Sequence, residues 1–250
     1  IRLSLVGSEM CIRDRIKGFF GIEDKMKLSK RLQTIADFVK KGAVVADIGT
    51  DHAHIPIYLI KNNIISKAYA CDINKGPLEK AKENINYYGV KNIELRLSNG
   101  LEKLKTDEAD TVIIAGMGGE LIIDILEKGR RFFESKRKFI LSPHTKIDEV
   151  RKFLLSNGFE ITKEDMCIDE GKFYTVMEAL YTGNSVSYTQ GELLFGKYLI
   201  DNKNPVLFEY LKKEKQKYLS IILADGINDT RRRELKDRLD IIEETMNEMQ

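Results

Sequence analysis

The chain has 250 residues, 42% apolar and 32% charged, with 41 Lys and Arg against 39 Asp and Glu for a formal charge of +2. That length carries one full α/β domain plus a smaller appendage. No apolar run approaches the ~20 residues a membrane helix needs, so no membrane partner is expected, and the near-balanced charge does not by itself demand a polyanionic partner. Cys11, Cys71 and Cys167 lie far apart with no Cys-x-x-Cys pair, which argues against a disulfide framework or a cysteine zinc site and fits a reducing cytoplasm.

Residues 1–25 lack the charged and apolar regions of a signal peptide. The run Ser8-Glu9-Met10-Cys11-Ile12-Arg13-Asp14-Arg15 reads as a translated adaptor, so the expectation is a non-native leader with Met26 as the natural start. From Lys41 short apolar runs alternate with amphipathic ones, the pattern of βαβ units and a parallel sheet. Strands are predicted over Ala43–Ile48, Lys67–Ile73, Ile93–Leu97, Asp110–Ala115 and Phe139–Leu141, the last stopped by Pro143. Helices are predicted over Ile55–Asn62, over Pro77–Tyr88, after Gly116-Met117-Gly118-Gly119 through Leu126, and over Ile147–Ser156. Two further strands, Phe159–Ile168 and Lys172–Tyr181, flank Asp169-Glu170-Gly171, a turn suited to an antiparallel hairpin. Nucleotide-binding dehydrogenases usually lack such a hairpin, whereas class I methyltransferases have it.

Beyond Gly183 strand signals cease. Leu207, Leu211, Tyr218 and Ile221 fall at heptad-like spacing; after the Asp225-Gly226 break, Leu235, Leu239, Ile242, Met246 and Met249 recur in steps of four and three. That is the seam of an antiparallel helical hairpin. The predicted organisation is an α/β, Rossmann-like class I methyltransferase sheet over 26–182, followed by an α-helical coiled-coil domain over 183–250.

Asp47-Ile48-Gly49-Thr50-Asp51-His52 ends the first strand and turns into a helix, placing backbone N–H groups at the carboxyl edge of the sheet. Only the first glycine of a dinucleotide-binding G-x-G-x-x-G is present, and Asp51 stands where a diphosphate would approach. A ligand with a positive or neutral group fits better there, such as the amino-acid end of S-adenosylmethionine. Asp72, followed by Ile73 and about twenty residues past the glycine turn, is placed to accept from ribose hydroxyls. Asn99 and Gly100 follow the third strand, where an amide can read adenine. Ala115-Gly116-Met117-Gly118-Gly119 follows the fourth and faces the transferable methyl. Each signal alone also describes an ordinary tight turn; four in order at consecutive strand ends are far more specific.

Three stretches carry a closer likeness: Lys27-Leu28-Ser29-Lys30-Arg31-Leu32-Gln33-Thr34-Ile35-Ala36, Val45–Ala53, and Ile114-Ala115-Gly116-Met117-Gly118-Gly119. Over about residues 26–250 the chain resembles the bacterial tRNA adenine-N1 methyltransferases that modify adenine 22, a family with a Rossmann-like catalytic domain and a C-terminal coiled coil. The resemblance implies S-adenosyl-L-methionine as cofactor and tRNA as substrate. Two positions depart from the family pattern: Asn99 stands where an acidic residue is usual, and Ser142-Pro143-His144 replaces a usual Gln-Pro-Asn. The Asn-Pro-Pro-Tyr motif of many amino-group methyltransferases is absent, as it is from the family.

Adenine N1 has an in-plane lone pair and no proton, so alignment rather than a strong base is the main requirement. Asp51 is the candidate for stabilising the cationic product, and Met117 is a second candidate catalytic residue at the methyl. N1 is masked in folded RNA, so local opening of the target is expected. Lys27, Lys30 and Arg31 are the candidate tRNA contacts; Arg130-Arg131, Lys136-Arg137-Lys138 and Arg231-Arg232-Arg233 are further basic runs that serve equally well as solvated surface. Thr50-Asp51-His52-Ala53-His54 also has the look of a metal cluster, but only His144 remains as a further histidine, so no metal is expected. The rival readings are a methyltransferase of another substrate (small molecule or protein), a non-catalytic RNA-binding relative and a metallohydrolase. The oligomeric state stays open, a monomer included.

Overall fold

A computed structural model describes residues 26–134, 137–224 and 227–250. The leader, Lys136 and the Asp225-Gly226 break lie outside the described residues. The elements run in chain order as α1 (Lys30–Ala36), β1 (Val44–Ile48), α2 (His54–Lys61), β2 (Lys67–Asp72), α3 (Lys75–Tyr87), β3 (Ile93–Leu97), β4 (Thr111–Met117), α4 (Gly119–Lys128), β5 (Lys138–Pro143), α5 (Ile147–Ser156), β6 (Phe159–Asp169) and β7 (Lys172–Tyr181). Four helices complete it: α6 (Gln190–Phe195), α7 (Lys197–Asp201), α8 (Pro205–Ile222) and α9 (Asp229–Glu248).

The seven strands form one sheet in the order β3-β2-β1-β4-β5-β7-β6. Strands β1 to β5 are parallel, while β7 runs antiparallel to both β5 and β6. The Glu170-Gly171 turn has positive φ at both residues (48° and 76°), the backbone a two-residue hairpin of this twist requires. This is the mixed Rossmann-like sheet expected of a class I methyltransferase. β5 runs on to Pro143, past the predicted stop; as the final residue its missing N–H costs no ladder bond.

Alternate residues of the parallel strands feed two apolar layers. Ala46, Ile48, Val112, Ile114, Phe139 and Leu141 pack against Ile122 and Leu126 of α4 and Val150 and Leu154 of α5. Val45, Ala68, Ile113 and Ile140 pack against Ile35 of α1 and Ile55 and Leu59 of α2. Helix α1 was not foreseen from periodicity; Ser29 caps it by accepting from the Leu32 amide.

The C-terminal helices share a third cluster, in which Leu199, Leu207, Leu211, Ile242 and Met249 close around Met166 of β6. Leu235 and Leu239 are buried as the seam predicts, but Ile221 is 37% exposed, because the seam fades toward the end of α8. A buried ion pair ties these helices to the sheet: Arg151 Nε donates to Glu164 at 2.8 Å, both side chains being at most 1% exposed. Arg151 also donates to the Leu193 and Leu194 carbonyls, and Glu164 accepts from the Tyr198 amide.

The basic runs around β5 are largely occupied. Arg131 donates to the carbonyls of Leu101, Glu102 and Leu104, Arg137 to that of Thr106, and Lys138 pairs with Glu178. No helix among the described residues is long and apolar enough to cross a membrane.

Candidate active site

The carboxyl ends of β1, β2, β3, β4 and β5 lie side by side, so the residues following each strand collect along one edge. The first of these turns is the most constrained. Gly49 has φ +72°, and the amides of Gly49 and Thr50 both donate to the Cys71 carbonyl at the end of β2, at 2.8 and 3.0 Å. A Cβ at Gly49 would overlap the Met117 side chain. Asp51 and Ala53 also carry positive φ, 50° and 57°, a costly conformation for side-chain-bearing residues that clusters at functional sites. Ala53 precedes α2 without offering a side-chain cap, which leaves first-turn amides of that helix to other acceptors.

Asp47 sits under this turn, 5% exposed, and accepts from Thr50 Oγ1 at 2.6 Å. Burial pushes its carboxyl up to about 6, against the pull of the Thr50 hydrogen bond and with help from the Asp72 and Asp51 carboxylates. A buried carboxylate held this high is a ready partner for a cation.

A pocket of about 230 Å³ opens over the turn. Asp47, Gly49, Thr50, Asp51 and His52 line it from the β1 side, Ala115 and Gly116 from β4, and Arg31 from α1. Asp51 is exposed, 3.4 Å from His52 Nε2. Met117 does not line the pocket but packs against Gly49. Asp72, buried at the end of β2, accepts from the Asn74 amide at 2.8 Å, and Ile73 beside it is 60% exposed. Asn99 and Gly100 follow β3; the exposed Asn99 amide donates one hydrogen bond to Glu102 at 3.0 Å, leaving its second N–H and its oxygen available. Lys27 and Lys30 are exposed on the surface, whereas the neighbouring Arg31 is drawn into the pocket.

Sequence reasoning missed several members. His54 lines the pocket and stacks on His52 at 5.4 Å; burial foremost, then His52, lowers its pKa. His144 also lines the pocket and meets Tyr174 of β7 edge-on. The signal for His144 was present in the departure at Ser142-Pro143-His144; Tyr174, which touches His144 without lining the pocket, gave none. Among the described residues no group of three or more His, Cys, Asp or Glu is placed to hold a metal ion.

Residues 28–177 match the sequence family described as a methyltransferase domain. The tRNA (adenine(22)-N(1))-methyltransferase of Bacillus subtilis (strain 168) is 36% identical over 238 residues, which covers 90% of this chain and 99% of that protein. The crystal structure of the B. subtilis tRNA methyltransferase TrmK superposes with a TM-score of 0.77 at 35% identity, over 88% of this chain and 99% of the other. TrmK of M. capricolum, in complex with the cofactor product S-adenosyl-homocysteine, superposes with a TM-score of 0.79 at 31% identity, over 89% and 99% of the two chains. A sheet that ends in an antiparallel hairpin, an acidic glycine turn under a pocket, and likeness along nine-tenths of the sequence converge: the chain belongs to the tRNA (adenine(22)-N(1))-methyltransferase family.

Proposed function

We propose that this chain is an S-adenosyl-L-methionine-dependent methyltransferase that modifies N1 of adenine 22 in tRNA. The observation that carries the cofactor half is the buried Asp47 carboxylate beneath the strained Gly49 turn, a donor set that fits a cationic amino-acid ligand. Asp47 and Asp51 would offset the ammonium and sulfonium charges, and free amides at the start of α2 would take the carboxylate. Asp72 would accept from the ribose hydroxyls, the exposed Ile73 side chain would lie against the adenine ring of the cofactor, and Gly100 with Asn99 would border it. Met117 props the glycine turn from below. The substrate half is supported by the family and by the length of the likeness, which includes the C-terminal helices. On this reading residues 26–182 form the catalytic domain and 183–250 the helical domain.

Bound S-adenosyl-L-methionine supplies an electrophilic methyl: the adenine N1 lone pair forms the new N–C bond, the C–S bond breaks onto sulfur, and the positive charge passes to the adenine ring with no proton lost. The protein therefore needs no general base. Asp51, an exposed residue that lines the pocket, would stabilise the adeninium product. A tRNA substrate, together with the free thiols of Cys71 and Cys167, is consistent with a cytoplasmic location.

The test is methyl transfer from labelled cofactor to tRNA transcribed with adenine or with another base at position 22. Label in the first and none in the second is expected; equal labelling, or transfer only to protein or small molecules, overturns the reading.

A further inference from the structure

The methyl donor accounts for the acidic half of the pocket only. Its remaining lining includes Arg31, entering from α1, and His144, following β5, beside the apolar Leu32 and Ile55. Tyr174 of β7 joins them: the Arg31 guanidinium lies 5.4 Å from its ring centroid, and the His144 ring meets it at 5.4 Å and 63°.

The backbones of Arg31 and His144 are fixed by other contacts. The Arg31 amide donates to the Asp169 carboxylate at 3.1 Å, and its Nη1 lies 3.3 Å from where a Cβ on Gly116 would stand. The His144 amide donates to the Met117 carbonyl at 2.8 Å. Both side chains still keep hydrogen-bonding capacity, although the Asp169 carboxylate feels the Arg31 charge. Among the described residues no carboxylate pairs with the Arg31 guanidinium and no hydrogen bond engages the His144 ring. Burial first, then the Arg31 and Lys172 charges, lowers the His144 pKa, so at neutral pH the imidazole keeps an acceptor nitrogen.

A fixed cationic donor beside a neutral acceptor matches one face of one base. The Hoogsteen edge of adenine offers N7 as acceptor next to the N6 amino donor, whereas guanine offers two acceptors there. Gripping that edge leaves N1 free toward the methyl. We propose that Arg31 and His144 read the Hoogsteen edge of the acceptor adenine, Arg31 donating to N7 and His144 accepting from the exocyclic amino group, with Tyr174 backing both. This assignment rests on the adenine-N1 reading above, and makes Arg31 a base contact rather than a phosphate contact.

The test uses full-length protein and ligated tRNA carrying adenine, purine (no amino group) or 7-deazaadenine (no N7) at the target position. Wild-type enzyme should lose about ten- to hundredfold in kcat/KM on each analogue, the usual consequence of leaving one buried partner unmatched. His144→Ala should lose as much on adenine yet no more than twofold further on purine, while keeping its full sensitivity to 7-deazaadenine. Arg31→Ala should show the reverse pattern, and His144→Asn, which retains an acceptor oxygen, should recover part of the loss. Melting temperature and S-adenosylhomocysteine affinity, measured alongside, should stay near wild type. If the losses from variant and analogue simply multiply, or wild type treats all three bases alike, the edge assignment is overturned while the function stands. Failure of wild type to methylate the adenine tRNA overturns both. A variant that unfolds is replaced by Arg31→Met or His144→Phe, which keep bulk without the donor or the acceptor and are read by the same criteria.

Discussion

Replacing Asp47 by Asn should make the cofactor-free protein more stable and the cofactor-bound state weaker. The Asp47 carboxyl is raised from 3.8 to about 6 by burial. At about 1.4 kcal/mol per pKa unit, that is a cost of about 3 kcal/mol in the folded state once the group is ionised. The sign follows from proton uptake. Below about pH 4 the carboxyl is protonated whether folded or not, and its contribution is fully present; as pH rises through about 6 that contribution is lost. Asn keeps an oxygen to accept from Thr50 but brings an amide N–H₂ without a partner, which returns about 1–2 kcal/mol of the gain. A net stabilisation of about 1–2 kcal/mol at pH 8 should raise Tm by roughly 2–8 °C for a domain of this size, shrinking as the pH falls through 6. Thermal melts of the cofactor-free protein from pH 5 to pH 8 measure this. In parallel, titration calorimetry should show S-adenosyl-L-methionine binding at least about tenfold weaker in the variant. Wild type alone should release protons on binding near pH 6. A variant that melts no higher than wild type at pH 8, or one whose difference is flat with pH, would refute the argument.

Gly49→Ala must place a side chain at φ +72° and displace Met117, so a loss of about 1–3 kcal/mol in stability and a clear drop in cofactor affinity are expected by melting and calorimetry. Asp51→Asn should fold normally and bind cofactor, but lose about tenfold or more in single-turnover rate at saturating cofactor if the carboxylate stabilises the cationic product; an unchanged rate removes Asp51 from that role. Arg151→Ala strands the Glu164 carboxylate in the interior and should cost about 3–5 kcal/mol. Hydrogen exchange should quicken first in residues 190–201, whose backbone the pair holds, before it quickens in β1 or β4.

What was legible in the sequence was what is local. Gly49 after an apolar run, Asp72 a strand later, and the Glu170-Gly171 turn each declare themselves within a few residues, and the sheet followed from their order. The far wall of the pocket was not legible, because it is made by pairing rather than by spacing. Arg31 reaches Asp169 across 138 positions, and Tyr174 meets His144 only because β7 folds back antiparallel on β5. The Asn99–Glu102 hydrogen bond was equally illegible, although the two residues are only three positions apart, because nothing in their spacing says which way an exposed amide turns. Arg151 and Glu164 look like ordinary surface charges until both are found within the core. Helices α6 and α7, of six and five residues, are too short to show a helical period.

Phe173 and Tyr174 are neighbours on β7, and a strand turns successive side chains to opposite faces. Phe173 lies edge-on to Tyr210 of α8 and under Lys213, while Tyr174 stands against Arg31 and His144. One strand is therefore a party wall between the helical bundle and the pocket. A single-residue insertion between Tyr174 and Thr175, with the rest of β7 held in register against β5, would turn the wall inside out, presenting the bundle's aromatic to Arg31 and His144 and theirs to the bundle. The hairpin can drift in sequence far more easily than in length, and whatever pulls on the C-terminal helices pulls on the same peptide bond that carries Tyr174.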